Sequence, residues 1–268
     1  MNDLTQVAKR MRLNILKMAY ECGTNAHLGG ALSITDILAV LYGKQLKNLG
    51  NQFPYDEQDK FILSKGHAVL ALYAALKEAG IMTQEDLDSF QADGSALVAH
   101  PVMNLSLGIE SSNGSLGQGI SMAVGLALAA KKKKKPYHTY VLIGNGESNE
   151  GIVWEALISA VHFGLDNLTI ILDDNKIQSD GPSSEIMAIP NYSERLKAFG
   201  FQVIEIDGNQ VEEVVAALET PMQESKPKCI VANTIKGKGV SFMEQDNTWH
   251  HNRLTQKQYE AAIEEIQG

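Results

Sequence analysis

Cysteine is nearly missing from this chain of 268 residues: only Cys22 and Cys229 occur, far apart and in no metal-ligand spacing. That excludes a disulfide scaffold and a cysteine-based zinc site, and it points to a reducing compartment. Apolar residues make up 44% of the chain, yet no run reaches the roughly 18 residues of a membrane span, so no membrane association is expected. The N-terminal Met-Asn-Asp-Leu-Thr-Gln lacks the basic-then-apolar layout of a secretory signal, and a cytoplasmic location is expected. Basic charge is short as well. The 23 Lys and Arg against 32 Asp and Glu leave a net charge of −9, the wrong sign for a dedicated nucleic-acid binder. The one basic cluster, Lys131–Lys135, follows the apolar run Met122–Ala130 and precedes Pro136. It reads as a solvated helix C-terminus, where cations oppose the negative end of the dipole. No internal repeat and no long Pro/Ser/Gly linker divides the chain, so residues 1–268 read as a single domain.

What is present is periodicity. Leu4, Val7, Ala8, Met11, Ile15, Met18, Ala19 and Cys22 have helical spacing. Ser33-Ile-Thr-Asp36, placed like a capping pair, predicts another helix running to about Leu46. Residues 67–79 are rich in Ala and Leu and end at Gly80, a helix stop, and a small-residue helix follows Gly119 to about Ala130. From Thr139 the rhythm changes to alternation, with strands expected near 139–143, 168–172, 201–206 and 228–232. Helices are expected between them near 151–162, 192–199 and 210–219. This is the pattern of an α/β fold, a parallel sheet flanked by helices on both faces.

Two stretches of that alternation carry chemistry. Val141-Leu-Ile-Gly-Asn-Gly-Glu-Ser-Asn-Glu-Gly151 is an apolar run stopped by Gly144-Asn-Gly146, with a helix-like run opening at Gly151. Amides freed where a strand ends and a helix begins favour a phosphate. Ile170-Ile-Leu-Asp-Asp-Asn-Lys-Ile177 ends in Asp173, Asp174 and Asn175, hard oxygen donors of the kind Mg2+ prefers. Gly144 and Asn175 lie 31 positions apart, the length of one strand–helix–strand unit. Adjacent parallel strands then bring both to the sheet edge where ligands of open α/β sheets bind, a geometry suited to a metal-bridged diphosphate.

The pair resembles the thiamine-diphosphate fingerprint, Gly-Asp-Gly answered downstream by Asn, with Asn145 in place of the Asp. Glu150-Gly-Ile-Val-Trp-Glu-Ala156 is similar to the transketolase version of it. Leu63-Ser-Lys-Gly-His-Ala68, Gly114-Ser-Leu-Gly-Gln-Gly119 and Lys236-Gly-Lys-Gly239 with Trp249-His250 follow in that family's order. Thr24-Asn-Ala-His-Leu-Gly29 resembles the family's Gly-His-Pro-Gly segment. The resemblance runs from about residue 10 to 253 and covers the family's N-terminal, diphosphate-binding (PP) domain. It implies a thiamine-diphosphate-binding fold, with thiamine diphosphate and Mg2+ (or Ca2+ or Mn2+) as cofactors. It also implies transfer of a two-carbon ketol unit from a ketose or ketose phosphate to an aldose. The family's pyrimidine-binding domain, which holds a catalytic glutamate and phosphate-gripping arginines, is expected on a separate C-terminal subunit. The two chains would form a split transketolase, expected as a heterotetramer with two copies of each.

Residue by residue, the resemblance implies Asn145, Asn175 and the main-chain carbonyl of Ile177 as metal ligands. It implies His67, Gly114, Ser115, Leu116, Gly144, Gly146, Glu147, Asn175 and His250 as cofactor contacts. His67 and His250 match positions at the diphosphate and the reacting centre. His27 and His100 match positions that bind donor hydroxyls and shuttle protons, work suited to a side chain titrating near neutrality. Glu150 and Glu155 match a pair that meets its symmetry mate and links two active sites. His251 and His138 read as bystanders. Two departures stand out. Asn145 keeps an amide oxygen for the metal and loses one negative charge, so weaker metal binding is expected unless Asp173 or Asp174 supplies it. Trp249-His250-His251-Asn252-Arg253 departs from the Trp-His-Gly-Lys of many relatives on the acceptor side. These departures leave open a specialised enzyme with a non-standard donor or acceptor, or a degenerate non-catalytic subunit.

Overall fold

In the computed structural model, which describes residues 3–50 and 52–268, the apolar runs form five strands. They are β1 (Lys60–Leu63), β2 (Thr139–Gly144), β3 (Leu168–Asp174), β4 (Gln202–Asp207) and β5 (Lys228–Asn233). All pair in parallel, in the order β1-β2-β3-β5-β4. The helices before β2 are α1 (Leu4–Glu21), α2 (Gly29–Ser33), α3 (Thr35–Val40), α4 (Val69–Glu78), α5 (Gln84–Asp88) and α6 (Gln118–Lys133). After it come α7 (Gly151–His162), α8 (Ser183–Ile186), α9 (Tyr192–Phe199), α10 (Val211–Glu219) and α11 (Gln256–Gln267).

Side chains alternate across a strand, so each strand feeds two cores. Leu142, Ile171 and Ile230 point to the face packed by α1, α3, α4 and α10. Val141, Ile143, Ile170, Leu172 and Val231 point to the face packed by α6, α7 and α9. Both faces are covered, which is why the strands are continuous apolar runs. Each such side chain contributes about 1.5–3 kcal/mol relative to exposure. The register pairs Gly144 with Asp173, so the turn after β2 sits against the end of β3 at the carboxyl edge of the sheet.

Several elements differ from expectation, among them α2, α3, β1 and α11. Ser33 caps nothing: it closes α2, and its hydroxyl donates to Asp173 at 2.9 Å, while Asp36 takes Arg12 in a two-point ion pair at 2.6 and 3.0 Å. The helix expected from Ser33 to Leu46 is therefore α2 and α3 in succession, closed by a wider turn over Leu41–Gln45. Strand β1 opens with a fully buried Lys60, which lies 3.2 Å from the Tyr55 ring centroid and 3.7 Å from Glu110. Helix α11 starts at a capping box between Thr255 and Gln258. The lysine run ends α6 as expected, with Lys131 paired to Asp166 at 2.8 Å and Lys135 to Asp56. No helix among the described residues is long and apolar enough to cross a membrane.

Helix α6 approaches β1 so closely that a Cβ on Gly119 would lie 2.7 Å from the Cα of Ser64. Gly119→Ala is expected to cost about 1–3 kcal/mol through overpacking, read as a lower denaturant midpoint at unchanged slope. An unchanged midpoint would show that the end of β1 yields freely.

Candidate active site

The site is built around Asp173, a wholly buried carboxylate at the end of β3. It accepts from Lys65 Nζ at 2.5 Å, Asn175 Nδ2 at 2.8 Å, Ser33 Oγ at 2.9 Å and Thr234 Oγ1. A buried charge persists only when paired and hydrogen-bonded, and these four partners satisfy both demands. They also draw α2 and the loops after β1, β3 and β5 to one point. Asp174 is paired with Lys176. Neither acid has charge to spare for Asn145.

Asn145 is held through its main chain. Its N–H donates to Asp173 O at 3.0 Å, and its carbonyl accepts from Ser148 Oγ at 2.5 Å and Tyr192 Oη at 3.2 Å. Its side-chain Nδ2 donates to Ser183 Oγ at 2.7 Å. Asn175 donates Nδ2 to Asp173, and its Oδ1 accepts from Ile177 N–H at 3.1 Å. The carbonyl of Ile177 accepts no hydrogen bond from any described residue. Asn145, Asn175 and Ile177 all line one cleft of about 540 Å3. Their donor set is three neutral oxygens, hard ligands that suit Mg2+.

Two expected cofactor contacts are spent inside the protein. The buried Glu147 accepts from Ser64 Oγ at 2.5 Å, Gly117 N–H at 2.8 Å and Gly144 N–H at 3.0 Å. Burial pushes its carboxyl above the usual range, opposed by those donors. Glu147 thus ties β1, β2 and the turn before α6 together, and it takes the Gly144 amide that a phosphate would use. Of the three amides at this turn, only that of Gly146 lacks an acceptor among the described residues. Gly144 lines the cleft, and a Cβ there would meet Lys65 Cδ only at ordinary contact distance, 3.4 Å.

Four imidazoles line the same cleft. His27 has its ring centroid 5.4 Å from His67, 5.6 Å from His100 and 5.4 Å from His250, and His67 is 5.3 Å from His250. A main-chain bridge between Ala26 and Asn252 pins the His27 segment to the His250 segment. Gly66 seats His67, because a Cβ there would lie 1.8 Å from Asn113 O. Burial, then neighbouring histidines, lowers His27 to about 3. Burial, then Lys236, lowers His250 to about 4. Burial also places His67 well below its ordinary value and lowers His100. All four are neutral imidazoles at neutral pH. His251, expected as a bystander, stacks on His27 at 4.3 Å. His138 bonds Thr169 beside the start of β2, away from this cluster.

The structure adds two lysines that the sequence motifs contain without marking their role. Lys65 and Lys236 are both buried and line the cleft. Lys236 Nζ donates to Gln178 O and Asn247 Oδ1, each at 2.9 Å, and burial beside Lys65 lowers it to about 8. Gly114, Leu116 and Glu150 line the same cleft, whereas Ser115 is exposed outside it. Glu155 is exposed on α7 and does not join the cleft. The result is one cleft that gathers two lysines, one amide without an acceptor among the described residues, three neutral oxygens and four imidazoles. It suits a ligand with a metal-bound anionic tail and a reactive end that exchanges protons.

The family described as "Transketolase, thiamine diphosphate binding domain" matches residues 5–266. The chain is 36% identical over 260 residues to an apulose-4-phosphate transketolase subunit from Phocaeicola vulgatus, covering 97% of this chain and 92% of that protein. It is 40% identical over 266 residues to the 6-deoxy-6-sulfo-D-fructose transketolase subunit SqwG from a Clostridium species, covering 99% and 96%. Among solved structures, transketolase from Leishmania mexicana superposes with a TM-score of 0.90 at 30% identity. Campylobacter jejuni transketolase does so with 0.90 at 31%. The chain is covered completely in both and spans 42% and 43% of their lengths.

The histidine cluster links stability to pH. His27 and His250 stay neutral in the fold down to about 3 and 4, while an unfolded histidine takes up a proton near 6.5. Their contribution is full above about 6.5 and is lost as pH falls from there toward 4. Replacing both by Asn is expected to flatten the fall in Tm between pH 7 and 5. An equally steep fall in the variant would place the acid sensitivity elsewhere.

Proposed function

Because this chain belongs to the transketolase family through its thiamine diphosphate-binding domain, we propose that it is the diphosphate-binding subunit of a two-chain transketolase. The observation that carries this reading is the convergence on one cleft of Lys65, Lys236, the Gly146 amide, the Asn145, Asn175 and Ile177 oxygens and four histidines. Bound thiamine diphosphate supplies the electron sink that lets a two-carbon ketol unit leave a ketose and join an aldose. Asn145, Asn175 and the Ile177 carbonyl hold Mg2+, and Lys65, Lys236 and the Gly146 N–H face the diphosphate. Gly114 and Leu116 border the ring position, with Ser115 behind them. His27 and His100 grip sugar hydroxyls and exchange protons as neutral imidazoles, which both donate and accept. His67 and His250 line the cleft beside His27.

Three relatives of matching length are named as transketolase subunits, which supports a partner chain carrying the pyrimidine-binding domain. Glu155 shares an exposed face of α7 with Ile158, itself 57% exposed, and Met122 of α6 is exposed as well. Uncovered apolar side chains beside a carboxylate suit contact with a second copy, and so a heterotetramer. Glu150 then connects the cleft to that face. Sugars or sugar phosphates are the substrate class, and two unpaired cysteines agree with a cytoplasmic setting.

The purified chain with thiamine diphosphate and Mg2+ is expected to show no ketol transfer, and to gain it when a pyrimidine-domain partner is added. Turnover by the chain alone would sink the two-chain reading. Lys236 sets a second test. A bound diphosphate favours its charged form, so affinity is expected to hold below pH 8 and to fall toward a limit of about tenfold per unit above it. Lys236→Met should bind more weakly and lose that slope between pH 7.5 and 9.5. A slope that persists would assign the proton to another group.

A further inference from the structure

A carboxylate presents two equivalent oxygens to a cation, so it serves in either orientation. A carboxamide presents one, and turning it over brings N–H hydrogens toward the metal. Asn145 therefore has a requirement that an aspartate at this position does not have. The main-chain bonds to Asp173, Ser148 and Tyr192 fix where its side chain starts but not how its amide plane lies. The contact that addresses the plane is the 2.7 Å hydrogen bond from Nδ2 to Ser183 Oγ. Asn145 is only 3% exposed, so water does little of this work.

Ser183 is itself fixed relative to the metal position. Its N–H donates to Lys176 O at 2.8 Å, and Ile177 bridges Pro182. The segment that carries one metal-facing carbonyl thus also carries the hydroxyl that steadies Asn145. Ser183 stands outside the cleft that Asn145 lines. With Nδ2 committed to that outer side, Oδ1 is left for the cleft. We propose that Ser183 is a positioning residue that makes the neutral Asn145 an effective metal ligand, an inference resting on the metal–diphosphate reading above.

The test is a double-mutant cycle read by calorimetric titration of thiamine diphosphate at several Mg2+ concentrations, on the full chain assembled with its partner subunit. Ser183→Ala is expected to weaken Mg2+-dependent binding about 10–100-fold, the range for losing a group that orients a metal ligand. Ser183→Thr, which keeps the hydroxyl, should stay near the unmodified complex. In an Asn145→Asp background, Ser183→Ala should change binding little, because either carboxylate oxygen serves. An equal loss in both backgrounds would make Ser183 a merely structural residue and overturn the proposal, as would no loss in the Asn145 background. Failure of the unmodified complex to bind thiamine diphosphate, or binding indifferent to Mg2+, would instead remove the underlying reading. Circular dichroism of each variant separates a lost fold from a lost ligand.

Discussion

The Lys65–Asp173 pair is the contact on which the rest of the site depends. Asp173 is wholly buried and Lys65 nearly so, and their 2.5 Å contact sits where β3 meets the cleft. Removing one member of such a pair leaves an unpaired charge in the interior, at a cost of about 3–5 kcal/mol. The other bonds to Asp173 come from segments far apart in the chain: Ser33, Asn175 and Thr234. The same carboxylate that secures Lys65 therefore sets the spacing between α2, which follows His27, and the loop that carries Asn175 and Ile177.

Charge is distributed with economy around that pair. The acids nearest the cleft are committed, Asp173 to Lys65, Asp174 to Lys176, and Glu147 to a hydroxyl and two amides. The histidines are uncharged because burial denies each of them a proton. The cations that line the cleft, Lys65 and Lys236, share it with Asp173 and Glu150, so neither sign dominates. In the proposed reading, a neutral Asn145 moves the burden from charge to orientation, which the Ser183 hydroxyl can supply.

Much of the fold was legible in the sequence because the central strands are buried on both faces, and continuous apolar runs such as Val141–Ile143 and Ile170–Leu172 announce themselves. Their spacing also brought Gly144 and Asn175 to one sheet edge, in keeping with the pairing of Gly144 with Asp173. Strand β1 was not legible. It is four residues long and opens with a lysine, and Lys60 is tolerable inside only because Tyr55 and Glu110 meet it. Ser33 misled for a related reason, since its spacing to Asp36 imitates a cap while each side chain answers a distant partner. Glu147 likewise sits in a phosphate-binding pattern, yet its carboxylate is claimed by Ser64 and Gly117, residues that no local window connects to it. Long-range polar contacts leave no periodicity to read. His251 showed the same limit, because the ring it stacks on is His27.

The bridge between Ala26 and Asn252 has a consequence in time as well as in space. It closes a loop of almost the whole chain, and such contacts are among the slowest to form because the closure entropy must be met before any local gain is realised. A polypeptide emerging from the ribosome from its N-terminus has His27, His67 and His100 long before it has His250. The sheet can begin to assemble on the partial chain, but the imidazole cluster cannot. The histidine cluster is thus completed only once the His250 segment has been made, and a shorter nascent chain offers a scaffold without its full set of imidazoles.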